Sequence, residues 1–441
     1  MSKFHTTVNR REFMKGLGLA GAGIGAAALV APNFKDIDEL AASHSGNFKH
    51  AWWVREREAY NPTVDVDWDQ IKPWKRGPTN PKQTPKYLEQ SAYNKATYTD
   101  VWTAEKLEGY DIKFSALKSA ANYWKGTNPD DLGWTKVDSA DRWTGTPEEG
   151  AGIIRAAMSY LGSPEVHFLK IDDKTRSLFT KDASTQDIED GKCKNIILSL
   201  NRKDIALSRR GGNDPYSYSH TGVVARRMQT FLNGLGYNCL PVPNPSNVAF
   251  SVLAGGAELS RIDHGCSPRF GMGMKTWNIY ATDMDLPAEN PIDAGITKFC
   301  YTCKVCAEIC EMQALGVNAL SMETEPTWDL PNNLPAADGS TADYKRPGVK
   351  KWFADYAYCT CILRCWTQCT FNQLNHAFAH DLIRASIPYT TVMNGFYSQM
   401  DRLFDYGVKT YEEIPEGIET WWNRDLGTWI HDTQEAGDNV Q

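Results

Sequence analysis

Beyond residue 42 the 441-residue chain has neither a G-x-G-x-x-G fingerprint nor a Walker sequence, so nothing there marks a nucleotide-phosphate cradle. It also has no basic tail. With a formal net charge of −7 it offers nucleic acid no evident electrostatic footprint. The apolar run from Gly16 to Ala31 is sixteen residues long and rich in glycine, short of the roughly twenty that a membrane-spanning helix takes. A disulfide framework is not expected, because such frameworks belong to short secreted chains. At 41% hydrophobic the chain can bury a large core, and its length suggests two or three domains.

Cysteine is where the sequence is concentrated. Eight of the eleven cysteines fall between Cys300 and Cys369, while Cys193, Cys239 and Cys266 are isolated, as buried structural cysteines often are. Cys300, Cys303, Cys306 and Cys310 form a C-x-x-C-x-x-C-x-x-x-C run. A second group holds Cys359, Cys361, Cys365 and Cys369. A tight run of this form gives three ligands to one iron–sulfur cluster and its fourth cysteine to another. Structural zinc fits less well, since zinc sites usually pair two short arms. Glu311 stands where proline commonly follows the fourth cysteine.

Residues 1–42 read as a targeting segment. Asn9-Arg10-Arg11-Glu12-Phe13-Met14-Lys15 carries the twin arginine of a Tat signal ahead of the apolar run, with cleavage expected between Ala31 and Ser43. Tat export carries folded proteins, which suits metal centres assembled before the chain leaves the cytoplasm. From Ser43 to Arg142 the chain is punctuated by proline and rich in Trp and Tyr without a clear period. Large rings there can wrap a core, and some can line an apolar pocket.

A helix–glycine–strand pattern then occurs twice. Pro147 to Leu161 predicts a helix capped by Thr146 and stopped at Gly162, followed by a strand over Val166–Ile171. Val223 to Leu235 predicts a second helix, stopped at Gly236 and followed by the apolar stretch Cys239–Val242. Asn195 to Leu200 supplies a further strand. The pattern argues for an α/β or α+β sandwich.

The chain resembles the reductive dehalogenases, the corrinoid and iron–sulfur enzymes of organohalide respiration, over nearly its full length. The resemblance rests on the twin-arginine signal, Trp143-Thr-Gly-Thr-Pro-Glu-Glu149, Phe231-Leu-Asn-Gly-Leu-Gly-Tyr-Asn238 and Leu253-Ala-Gly-Gly-Ala-Glu-Leu-Ser-Arg261. Thr282-Asp283, Pro291-Ile-Asp-Ala-Gly295, the cysteine groups and Asn394-Gly-Phe396 continue it. The signal and early segment look most like the chlorinated-ethene reductases.

The resemblance implies an α+β fold with a nitroreductase-like corrinoid-binding core and a ferredoxin-like domain holding two 4Fe-4S clusters. Its divisions are a signal peptide (1–42), a wrapping region (43–142), the core (143–295), the cluster domain (296–376) and a C-terminal segment packing back on the core (377–441). It also implies a tyrosine proton donor at Tyr218, with Tyr216 as competitor, an asparagine at Asn244 or Asn247, and a cation at Lys275 or Arg269. Many relatives carry arginine at the position of Lys275, and a point charge does not replace a planar fork. One cluster would take Cys300, Cys303, Cys306 and Cys369, the other Cys310, Cys359, Cys361 and Cys365. On the family spacing the second position of the second group falls at Ile362, one residue from Cys361, and Thr370 replaces a usual proline.

The implied partners are a small organohalide, a hydrophobic membrane-anchor protein and an upstream membrane electron donor, on the outer face of the cytoplasmic membrane. Two other readings share the cysteines: an exported ferredoxin-type carrier, and an epoxyqueuosine reductase-like corrinoid enzyme. The long α/β core counts against the first, and the signal and acidic charge against the second.

Overall fold

The computed structural model describes residues 50–72, 85–96, 100–104, 142–180, 188, 190–203, 205, 215–310, 319–328, 348–354, 364–372 and 378–403. The signal segment, Cys359 and Cys361 lie outside the described residues. After the short strand β1 (Arg55–Glu56) come helices α1 (Pro85–Asn94), α2 (Asp100–Ala104) and α3 (Pro147–Tyr160). Strand β2 (Glu165–Lys170), helix α4 (Asp173–Arg176), strand β3 (Asn195–Arg202) and helix α5 (Pro215–Gly234) follow. The chain continues through β4 (Leu240–Pro241), α6 (Asn247–Leu253), β5 (Glu258–Leu259), β6 (Gly265–Cys266), β7 (Met274–Thr282) and β8 (Ile292–Asp293). Helices α7 (Ile296–Cys303), α8 (Val305–Glu308), α9 (Arg364–Thr367), α10 (Phe378–Ser386) and α11 (Asn394–Leu403) complete it.

The centre is a four-stranded antiparallel sheet in the order β2-β3-β7-β4. Side chains alternate across it, as a strand period of two requires. Val166, Phe168, Ile197 and Tyr280 meet Ile154 and Met158 of α3 and Val224, Met228 and Leu232 of α5. Leu169, Ile196, Leu198, Ile279 and Ala281 point the other way, onto Phe250 and Leu253 of α6. Helices therefore cover both faces, and β3 is buried along its whole length. The mixed α+β class expected from sequence is the one observed.

Helix α3 starts where the sequence places it. The Thr146 hydroxyl accepts from the Glu149 amide at 3.2 Å and the Glu149 carboxylate accepts from the Thr146 amide at 2.8 Å, a complete capping box. Helix α5 begins at Pro215, eight residues before the predicted start, so Tyr216 and Tyr218 lie in its first turn. Strand β7 has no counterpart among the predicted strands. Its pairing with β3 slips between Ser199 and Leu200, leaving Trp277 as an extra residue and breaking the period of two.

The segment carrying the second cysteine group crosses close beneath Gly271. This glycine has φ +58°, and a Cβ there would overlap the Phe371 carbonyl and the Asn372 amide. Asn372 fixes the crossing by accepting from the Met272 amide at 2.9 Å and donating to the Trp366 carbonyl at 2.7 Å. Within the core, fully buried His167 sits between Glu165 and Glu289, 2.9 Å from each. Burial opposes its charge, but the Glu289 and Glu165 carboxylates outweigh that and raise its pKa to about 9.

Two outcomes test these contacts. Gly271→Ala should lower stability by about 2 kcal/mol or more, from left-handed strain plus overlap, measured by denaturant unfolding. The protonated His167 should stabilise the fold fully below its ordinary value of 6.5 and lose that contribution as pH rises through about 9. Thermal melts between pH 6 and pH 10 (roughly spanning that window) should therefore fall more steeply in the wild type than in His167→Gln.

Candidate functional site

Two arrangements of chemically capable side chains adjoin one another. The first is the thiol cluster. Cys300 and Cys303 come from α7, Cys306 from α8 and Cys310 from the residues just after it. Cys365 lies in α9 and Cys369 two residues beyond it. All six pack against one apolar group that includes Ile262, Phe299, Ala307 and Phe371. Long-range folding thus brings the first cysteine run against Cys365 and Cys369.

Electrostatics show how tightly the thiols are grouped. Burial pushes the Cys300 thiol far above its ordinary range, and Cys303 and Cys369 add to the effect. Cys306 is raised by burial and then by Cys300, Cys303, Cys365 and Cys369. Thiolates crowded in this way repel one another until cations replace their protons, which is the chemistry of a polythiolate metal site. Among the described residues no three such side chains close on a single ion. The ligands of an iron–sulfur cluster sit at separate corners of a larger core rather than around one ion. Cys266 is a participant that the sequence did not reveal. Though isolated in sequence, it is completely buried and hydrogen-bonds Cys369.

A hairpin of β5 and β6 holds this region to the core. The buried Glu258 carboxylate accepts from the Ala294 and Ile296 amides at 2.8 and 2.9 Å, at the start of α7. Burial raises its pKa, and those amide bonds partly counter the effect. Arg261, at the turn of the hairpin, donates to the Cys300 carbonyl through Nε at 3.0 Å and Nη2 at 2.7 Å. A carboxylate at the helix start and a guanidinium on one of its last four carbonyls both suit the helix dipole. Glu258 and Arg261 lie in a segment that carries the family resemblance, but their polar character alone gives no sign of burial.

The second arrangement surrounds the bulge. The slip in register pairs Lys275 with Asn201, so Lys275 faces the side of the sheet covered by α5. Asn201 donates to Thr221 Oγ1 at 3.4 Å, and Asn278 donates to the Thr221 carbonyl at 2.9 Å. Thr221 is one turn beyond Tyr218. Lys275 is buried, and Ser199 Oγ and Asn201 Oδ1 are buried without a hydrogen-bond partner. Orphaned polar atoms of this kind mark a place where a bound group can complete the pairing. The side chains of Tyr216 and Tyr218 lie outside the described part, and only their place in the first turn of α5 is given.

The remaining expected residues lie elsewhere. Asn244 is exposed, with φ 43°, in the loop before α6 on the opposite face of the sheet. Asn247 begins α6 and has a buried, unpartnered Oδ1. Arg269 packs its guanidinium 4.8 Å from the Phe270 ring, with Nη1 3.5 Å from the Pro164 carbonyl. On the α6 side, Val66, Trp68, Leu178, Val252 and Leu253 line an apolar cavity of about 290 Å³. Asp263, His264 and Lys351 also line it, and the His264 ring contacts Trp366, next to Cys365. Trp68 is thus one of the N-terminal rings that do line an apolar pocket. Among the described residues no helix is long and apolar enough to cross a membrane.

No protein-family model matches the chain. It is similar to a trichloroethene reductive dehalogenase of Dehalococcoides mccartyi, at 27% identity over 95% of this chain and 97% of the relative. A chloroethene reductive dehalogenase from strain VS of that organism is 27% identical, over 96% of this chain and 98% of the relative. A tetrachloroethene reductive dehalogenase of Sulfurospirillum multivorans matches at 26% over 56% of this chain and 48% of its own. Among solved structures, a reductive dehalogenase described for B12-dependent dehalogenation superposes with a TM-score of 0.55 at 17% identity, over 80% of this chain. A catabolic reductive dehalogenase in complex with 3-bromo-4-hydroxybenzoic acid gives 0.55 at 18%. The chain spans about half the length of those two solved chains, 49% of each. These structures show the shared fold.

Proposed function

Because the chain is a homologue of the reductive dehalogenases, oxidoreductases that act on carbon–halogen bonds, we propose that it replaces halogen by hydrogen on a small organohalide. Chloroethenes are the proposed substrate class. The end-to-end match to relatives named for trichloroethene and chloroethene reduction carries this reading. In the balanced reaction the carbon–halogen bond takes two electrons and one proton, giving a carbon–hydrogen bond and a halide ion.

The proposed cofactors are a corrinoid and two 4Fe-4S clusters. The solved relative named for B12-dependent dehalogenation supports the first, and the grouped, mutually repelling thiols support the second. Cys300, Cys303, Cys306 and Cys369 would hold one cluster, and Cys310, Cys359, Cys361 and Cys365 the other. A bound corrinoid would supply the chemistry for breaking the carbon–halogen bond, and the clusters would supply electrons.

The chain's own residues would position the substrate and deliver the proton. Tyr218 is assigned as the proton donor, with Tyr216 as the alternative. Its place in the first turn of α5 puts it near the positive end of the helix dipole, which favours the tyrosinate formed on proton loss. Lys275 would supply a second positive charge to that tyrosinate or to the departing halide. Asn244 and Asn247, on the face of the sheet covered by α6, are not assigned to the substrate that Tyr218 and Lys275 would serve. The twin-arginine segment would send the folded protein to the outer face of the cytoplasmic membrane. There a small hydrophobic anchor protein and a membrane electron donor would make it a respiratory terminal reductase.

Two measurements test the proposal. The full chain reconstituted with iron, sulfide and corrinoid should hold about eight iron atoms, as two four-iron clusters require, and one cobalt. Iron without cobalt would instead support an electron carrier, and about four iron atoms would mean a single cluster. Tyr218→Phe should abolish halide release with metal content unchanged, and undiminished release would reject Tyr218 as the donor.

A further inference from the structure

Among the described residues Arg261 is the largest completely buried side chain, and its partners are unusual for a buried charge. Besides its two bonds to the Cys300 carbonyl, Nη1 donates to the carbonyls of Ser321 and Glu323 at 2.9 and 2.7 Å. The guanidinium lies 4.4 Å from the centroid of the Trp352 ring. No carboxylate forms an ion pair with it among the described residues. Its donors are therefore satisfied by neutral acceptors, and its positive charge is not. Buried charges are normally paired, because the desolvation cost is otherwise uncompensated. Burial pulls its pKa down, and Cys300, Cys306 and Cys303, as thiolates, are the leading groups that oppose this, with the Glu308 carboxylate adding a smaller effect.

Those cysteines are three of the four ligands proposed for one cluster, so any role of Arg261 toward that cluster rests on the iron–sulfur reading. We propose that Arg261 is a positioning residue whose buried charge is balanced by the cluster held by Cys300, Cys303, Cys306 and Cys369, and that it raises that cluster's reduction potential. A thiolate-ligated cluster is a net anion and becomes more negative on reduction, and its potential depends on net charge and on nearby charges. A fixed cation in a dry interior favours the more negative state more strongly than it would in water. Its closeness also selects between the two clusters. Glu258 and Arg261 grip both ends of the helix that carries Cys300 and Cys303, so the charge moves with the ligands.

Capping the Cys300 carbonyl is the competing role, and it needs hydrogen bonds but no charge. The two roles separate in the reconstituted full chain carrying Arg261→Gln or Arg261→Lys, read by iron content and by EPR-monitored redox titration. With Arg261→Gln the iron content should hold, one cluster should titrate at a lower potential than in the wild type, and the other should not move. With Arg261→Lys, which keeps the charge and loses the planar fork, that cluster should titrate close to the wild type. Unchanged potentials in Arg261→Gln would overturn the assignment and leave the iron–sulfur reading intact. If Arg261→Gln does not accumulate as folded protein, Arg261→Lys decides. Retention of both clusters at wild-type potentials supports the role of charge, and loss of the cluster assigns Arg261 to capping alone. A wild-type chain that takes up no iron overturns the underlying reading and this proposal with it.

Discussion

The crossing of Phe371 and Asn372 beneath Gly271 is the contact on which the arrangement depends. It brings the chain that carries Cys365 and Cys369 to within hydrogen-bonding reach of Met272, two residues before β7. The same strand then bears Lys275. One close backbone approach, open to glycine and closed to any residue with a Cβ, therefore links the thiol cluster to the face of the sheet proposed for catalysis. The packed group around Phe299 and Phe371 consolidates that link, with the two rings edge to face at 5.3 Å.

Charge is handled differently around His167 and around Arg261. Around His167 every charge meets an opposite one, with Glu165 and Glu289 on the imidazole and Arg155 on Glu289. Its opposite charges are paired in contact, and it reads as structural. Near Cys300 the guanidinium of Arg261 instead meets carbonyls and an indole, with the thiols and, more weakly, Glu308 acting on its charge. Paired charges hold a fold together, whereas a buried cation without a contacting carboxylate favours an anion beside it. The proposed cluster is the anion of suitable sign and place.

Local features were legible in the sequence and distant ones were not. Thr146 and Glu149 announced α3 because a capping box needs only four consecutive residues, and Gly162 and Gly236 marked helix ends by adopting positive φ. The cysteine run was legible because its spacing is its chemistry. Strand β7 was hidden by the extra Trp277, which interrupts alternation, and by Lys275 and Asn278, polar residues buried on one face. The start of α5 was hidden because Asp214-Pro-Tyr-Ser-Tyr218-Ser reads as a polar turn. Cys266 looked isolated, since its neighbour Cys369 is more than a hundred residues away. Nothing in the sequence set Arg261 apart, since only the folded chain surrounds it with carbonyls.

In the proposed function, electrons collected by the thiol-bound centres are spent on a carbon–halogen bond. The most direct measurement is halide release by the reconstituted, full-length chain, supplied with a low-potential reductant and offered haloethenes, haloalkanes and haloaromatics in turn. The expected result is one halide ion for each dehalogenated product, found first among the chloroethenes and lost when corrinoid is left out of the reconstitution. A protein loaded with iron and corrinoid that releases no halide from any of these classes would contradict it.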